Sequence, residues 1–144
     1  MIVFTGYEKD YTSKNPIVHS LASHACALAS MPSVPIIVIN NNEPIAYAYS
    51  SYIEVTFSLV ELLTENELFS VIFHELSHIK YKDHAEREFE KRMENEYFAD
   101  FFSTKFNDSK YMISALKKLS LHYPDKFTQD NLNYRIELLY CSRK

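Results

Sequence analysis

Glycine is almost missing from this chain: Gly6 stands alone among 144 residues. A glycine-rich loop that cradles phosphates cannot be built from it, which excludes the common nucleotide-binding sites. Turns must be made instead by Asn, Asp, Ser and Pro. Two cysteines, Cys26 and Cys141, are too few for a disulfide framework and have no metal-ligand spacing. They read as free thiols in a reducing compartment. A formal charge of −4 offers no basic surface, so nucleic acid is not an expected partner. No apolar run approaches the ~20 residues of a membrane span. The N-terminus, Met1 to Lys9, also lacks the basic start and apolar stretch of a signal peptide. The expectation is a cytoplasmic protein with no membrane span.

What is present belongs to a globular chain, with 47% apolar and 24% charged residues. There is no Trp, but 11 Tyr and 10 Phe bring aromatics to 15%, so rings are expected to fill much of the core. The length suits one domain over residues 1–144. A short strand is expected at 2–7. Asn15-Pro16 looks like an N-cap followed by proline at the first helical position, opening a helix that ends near Met31. Pro35 to Ile39 reads as a buried strand and Asn40 to Pro44 as a turn; Ile45–Tyr49 and Tyr52–Phe57 are further strand candidates. Thr64 and Glu67 form a capping box ahead of a helix reaching about Tyr81. That helix is apolar on nearly every side and belongs at the centre of a domain. A second long helix is expected over 84–107, its first charged residues forming a solvated face, and two more near 109–122 and 129–141. Strands first and helices later make the fold class α+β.

Inside the central helix lies His74-Glu75-Leu76-Ser77-His78, an HExxH pattern. Residues four apart share one helical face, so both imidazoles can reach a single ion. Glu75 is offset around the helix and can reach a water on that ion without ligating it. A catalytic zinc takes three protein ligands and keeps one position open. The next helix offers Glu96 as the third, with Asp100 four residues on, in an otherwise apolar segment (Tyr97, Phe98, Ala99, Phe101, Phe102). Their distance from His78 suits an antiparallel return of that helix against the first. A carboxylate pair there can both ligate and orient an imidazole.

On these residues the chain resembles the gluzincin metallopeptidase family that contains HtpX and the CAAX prenyl proteases, in a minimal form without their membrane helices. The likeness runs over roughly 34–140. Pro44 to Tyr49 resembles the family's strand over the active site, Tyr52 to Leu63 the strand and helix start that follow, and Glu67 to Phe73 the lead-in to the motif. His78 to His84 continues the likeness, and Arg135-Ile136-Glu137-Leu138-Leu139 resembles its C-terminal segment. The resemblance implies a zincin-like fold, with a small three- to four-stranded sheet packed on the HExxH helix and a helical C-terminal half. It implies one Zn2+ held by His74, His78 and Glu96, Glu75 as the base, and Asp100 buttressing a ligand histidine, His74 being the better candidate. One departure stands out. The His-Pro that precedes the family's C-terminal Arg is replaced by Gln129-Asp130, and its oxyanion role has no assigned residue here; Arg135, His122 and the tyrosines are candidates.

The reaction so implied is hydrolysis of a peptide or protein substrate by a metal-activated water, with Glu75 carrying the proton. An extended peptide would add to the strand of Ala46, Tyr47, Ala48 and Tyr49. Two alternatives share the motif. A regulatory peptidase resembling ImmA/IrrE would cleave one specific protein, and Glu96 to Phe102 satisfies its E-x-x-A-N/D-x-F pattern. An inactive zinc-stabilised binding module would bind without cleaving, but would have no use for Glu75.

Overall fold

A computed structural model describes residues 15–142; the strand expected at 2–7 lies outside the described residues. The elements are α1 (Asn15–Leu28), β1 (Ile36–Ile39), β2 (Ala46–Ala48), β3 (Ile53–Thr56), α2 (Phe57–Leu62), α3 (Glu65–Lys80), α4 (Phe89–Thr104), α5 (Ser109–Ser120) and α6 (Lys126–Ser142). The fold is α+β with a small three-stranded sheet and is mostly helical.

β3 is the middle strand of the sheet, paired parallel to β1 and antiparallel to β2. The register of β2 can be read from its ends. Thr56 N donates to Ile45 O at 3.0 Å and Tyr49 N to Tyr52 O at 2.8 Å. Hydrogen-bonded pairs alternate along an antiparallel ladder, so Ile45, Tyr47 and Tyr49 bond towards β3. The N–H and C=O of Ala46 and Ala48 are thereby directed to the free edge.

Helix α3 is the axis of the molecule, packed against α1, α4, α5 and β2. Its start is the expected capping box: Glu67 N donates to Thr64 Oγ1 at 3.2 Å and Thr64 N to Glu67 Oε1 at 2.8 Å. The Glu67 carboxylate also accepts from Lys118 Nζ at 2.7 Å, tying α3 to α5. Ile72, Phe73, Leu76 and Ser77 are fully buried in the middle of the helix.

Helix α3 ends in a Schellman turn. Asp83 N donates to His78 O at 3.1 Å and Lys82 N to Ile79 O at 3.2 Å, with Lys82 left-handed at φ 56°. Helix α1 stops in the same way, with Ser30 at φ 56° and Met31 N donating to Cys26 O at 2.9 Å. Both positions usually hold glycine. In this glycine-poor chain Lys82 and Ser30 take the left-handed conformation instead.

Several boundaries differ from the sequence reading, among them the ends of α1 at Leu28 and of α4 at Thr104. Helix α4 begins at Phe89, not 84, because the chain leaving the Schellman turn makes a further turn (Glu86 N to Asp83 O, 3.1 Å). The Glu86 carboxylate then accepts from the N–H groups of Arg87 and Glu88. Helix α6 begins at Lys126, not 129, because Asp125 caps it by accepting from Thr128 N at 2.9 Å. Thr56 likewise caps the short α2, which sequence reading had not separated from its flanks, by accepting from Leu59 N at 3.1 Å. The core also differs in kind. It is built from Leu, Ile, Val and Ala, and among the described aromatics Phe73 and Phe102 alone are buried in it. Other rings gather in half-exposed groups such as Tyr47, Tyr49 and Tyr52. Among the described residues no helix is long and apolar enough to cross a membrane.

Candidate metal centre

The i, i+4 spacing on α3 brings the two imidazoles together as expected, with His74 Nε2 and His78 Nε2 3.3 Å apart. Helix α4 returns beside α3 and places Glu96 over the pair, Oε1 3.1 Å from His74 Nε2 and Oε2 3.1 Å from His78 Nε2. One ligand atom from each of the three residues lies within 4.8 Å of the others. Both histidines are buried, while Glu96 is half-buried and opens to the cleft.

Each imidazole is held from behind by a carboxylate. Asp100 Oδ1 lies 2.8 Å from His74 Nδ1, and Asp83 Oδ1 lies 2.6 Å from His78 Nδ1. An ionised carboxylate can only accept, so both Nδ1 atoms carry protons. In its neutral form each ring then has its Nε2 lone pair at the shared point. This is the tautomer that a metal ligand requires, fixed by the partner behind it. Two imidazoles and one carboxylate form a donor set that suits zinc, which in catalytic sites takes three protein ligands.

The buried Asp100 is held in turn by Arg135 of α6. Arg135 Nε donates to Asp100 Oδ2 and Nη2 to Oδ1, both at 2.8 Å, in a bidentate pair. Nη1 lies 3.8 Å from Glu96 Oε1. Burial alone would raise the Asp100 carboxyl, but the Arg135 charge and hydrogen bonds hold it below the ordinary range. Burial disfavours a charged His74, yet Glu96 and Asp100 more than offset it and push the ring up to about 10. His78 is raised by Glu96 in the same way, against its own burial. The field at the shared point therefore favours positive charge, which is what a metal site needs. Glu75 is pushed up by burial, with His74 and His78 pulling it back. Its Oε2 is 3.9 Å from His74 Nε2, beside the cluster and outside it.

Of these groups Glu75, His78, Asp83, Glu96 and Arg135 line a cleft of about 440 Å3. Glu75 and His78 contribute from α3, Ala46, Tyr47 and Ala48 form one wall, and α4 and α6 form the other. Tyr49 is not among the lining residues; its hydroxyl turns to Glu54 at 3.4 Å and its ring stacks on Tyr52. His122 is exposed in the turn after α5 and does not reach the cleft, so it is set aside as a site residue. Gln129, at the place of the family's histidine, also faces elsewhere, with Nε2 donating to the carbonyls of Ser120 and Tyr123. Sequence reading missed Asp83. The left-handed turn at Lys82, which brings it back onto His78, has no glycine to announce it.

The model of peptidase family M48 matches residues 12–95, more than half of the chain. The chain belongs to peptidase family M48. It is thus a member of a metallopeptidase family. Among the curated relatives of this M48 chain, Protease HtpX homolog 2 of Methanosarcina mazei is 31% identical over 86 residues, 56% of this chain and 29% of the relative. Protease HtpX homolog of Moorella thermoacetica is 34% identical over 73 residues, 47% of this chain and 24% of the relative. Protease HtpX of Legionella pneumophila is 30% identical over 88 residues, 58% of this chain and 31% of the relative. The chain thus spans less than a third of the length of these relatives. No solved structure matches it. The family match includes His74, Glu75 and His78 but stops one residue before Glu96. Glu96, Asp100 and Arg135 join the site by geometry.

Proposed function

We propose that this M48 chain is a zinc-dependent endopeptidase of zincin-like arrangement, hydrolysing peptide bonds with Glu75 as the general base. The observation that supports it best is the meeting of the two Nε2 atoms and the Glu96 carboxylate within 4.8 Å, in a cleft that Glu75 also lines. His74, His78 and Glu96 would hold the metal. When bound, zinc would lower the pKa of a water towards ~7 and polarise the scissile carbonyl.

The rest is the work of side chains and backbone. Glu75 takes the proton of the attacking water and hands it to the leaving amine, a role worth about 10²–10⁴-fold in rate. Burial raises its carboxyl and so brings its basicity closer to working pH. Asp100 and Asp83 keep the imidazoles in the ligating tautomer. Arg135 fixes Asp100, and through Nη1 it steadies Glu96. The outward N–H and C=O groups of Ala46 and Ala48 receive an extended peptide as an added strand. Main-chain bonding of this kind gives affinity with little sequence preference, which suits a general peptidase better than one dedicated to a single protein.

The direct trial is digestion of an unfolded protein such as casein by zinc-loaded protein, with and without a chelator. Chelator-sensitive cleavage at many sites is expected. Cleavage of no unfolded chain, with one protein partner cut at one site, would favour the regulatory reading. No cleavage of any substrate by fully zinc-loaded protein would favour the inactive binding module.

A further inference from the structure

Large apolar side chains that stay exposed are informative when they stand together in a cleft. Phe89 opens α4 and Phe127 lies in the first turn of α6. Their ring centroids are 5.8 Å apart, yet they remain 45% and 64% exposed. Both line the cleft that holds Glu75 and His78, together with Met93 and Leu132.

Their place follows from helix geometry. Phe89, Met93, Glu96 and Asp100 share one face of α4 at i, i+4, i+7 and i+11 spacing, so the metal-cluster face continues towards the helix start as an apolar stripe. Helix α6 runs beside it in the same sense, since Phe127 meets Phe89 while Arg135 meets Asp100. At 1.5 Å per residue, Met93 and Phe89 lie about 4.5 and 10 Å along the axis from Glu96. A strand advances about 3.3 Å per residue, so an extended peptide that pairs with β2 and lies along α4 would carry a residue one to three positions from its cut bond past these side chains.

We propose that Phe89, Met93, Phe127 and Leu132 form a specificity pocket for one bulky apolar side chain of the substrate. The inference rests on the peptidase reading above and adds the substrate class to it: peptides with Leu, Ile, Met or Phe within about three residues of the cut. The Arg92 guanidinium lies 5.9 Å over the Phe89 ring and lines the same cleft. Burying these rings against a substrate side chain supplies the selectivity, since even a methylene in such a pocket is worth about 10-fold or more.

The test has two arms, both on zinc-loaded full chain. A random peptide library is digested and its cut sites are read by mass spectrometry for wild type, F89S, F127S and, as an off-cleft control, L121S, whose leucine is 84% exposed. Apolar enrichment within three positions of the cut, kept in L121S and flattened in F89S or F127S, is the expected result. Cleavage without that enrichment, or enrichment that survives in both serine variants, overturns the pocket and leaves the peptidase reading standing. The second arm measures binding of a labelled decapeptide with a central Leu-Phe-Leu, against the same peptide with Ser-Ser-Ser, to the E75Q variant. About 10-fold tighter binding of the apolar peptide, lost in E75Q/F127S, is expected. If wild type cleaves nothing, the peptidase reading fails and this arm decides the pocket alone. Equal binding of the two peptides overturns it.

Discussion

Asp83 and Asp100 each hold the Nδ1 of one imidazole, and the loss of either should loosen a ligand histidine. Asp100 lies on a helix, four residues from Glu96 in an apolar setting, and a carboxylate so placed invites a role. Asp83 lies beyond the helix end and reaches His78 only because Lys82 turns left-handed. His122 shows the opposite failure: a histidine near the C-terminal helices is a reasonable candidate until the end of α5 turns it to solvent. Asp83→Ala should retain the fold but weaken zinc binding about 10–100-fold, the usual effect of losing an outer partner of a ligand histidine. Competition against a chromophoric chelator measures it. Affinity equal to wild type would mean that the 2.6 Å contact orients nothing.

Helix α3 and strand β2 meet at the cleft, and they were legible to different degrees. The capping box and the 3.6-residue apolar pattern mark α3 directly, and its start at Glu65 agrees with both. The existence of β2 was legible, but not which of its backbone groups face the cleft. That depends on pairing with β3, a contact no local pattern encodes. The register now separates two proline substitutions. Ala48→Pro removes an N–H on the cleft side, where an edge strand tolerates proline. Turnover should fall about 10-fold, the worth of one hydrogen bond near 1.4 kcal/mol, with zinc content and melting temperature close to wild type. Tyr47→Pro removes an N–H that bonds to β3 and should destabilise by about 1–3 kcal/mol. Thermal unfolding and peptide turnover of the two variants give the comparison. Equal destabilisation by both would show the register to be wrong.

At the scale of the whole molecule, the α+β class follows from strands gathered over 36–56, with α1 before them and the other helices after. The strand order β1-β3-β2, with its parallel pair, and the meeting of α4 with α6 were not legible, because both are set by long-range packing. That packing completes the site, since Arg135 reaches Asp100 across two helices. The central claim is that the cleft performs proton transfer as well as metal binding, and it rests on Glu75. Glu75→Gln keeps the size and hydrogen-bonding reach of the side chain while removing its basicity. Zinc content, melting temperature and peptide turnover are measured on paired preparations of wild type and variant. The account predicts unchanged zinc, a near-normal melting temperature, and hydrolysis reduced by at least about 10²-fold. Turnover equal to wild type, with zinc still bound, would contradict it.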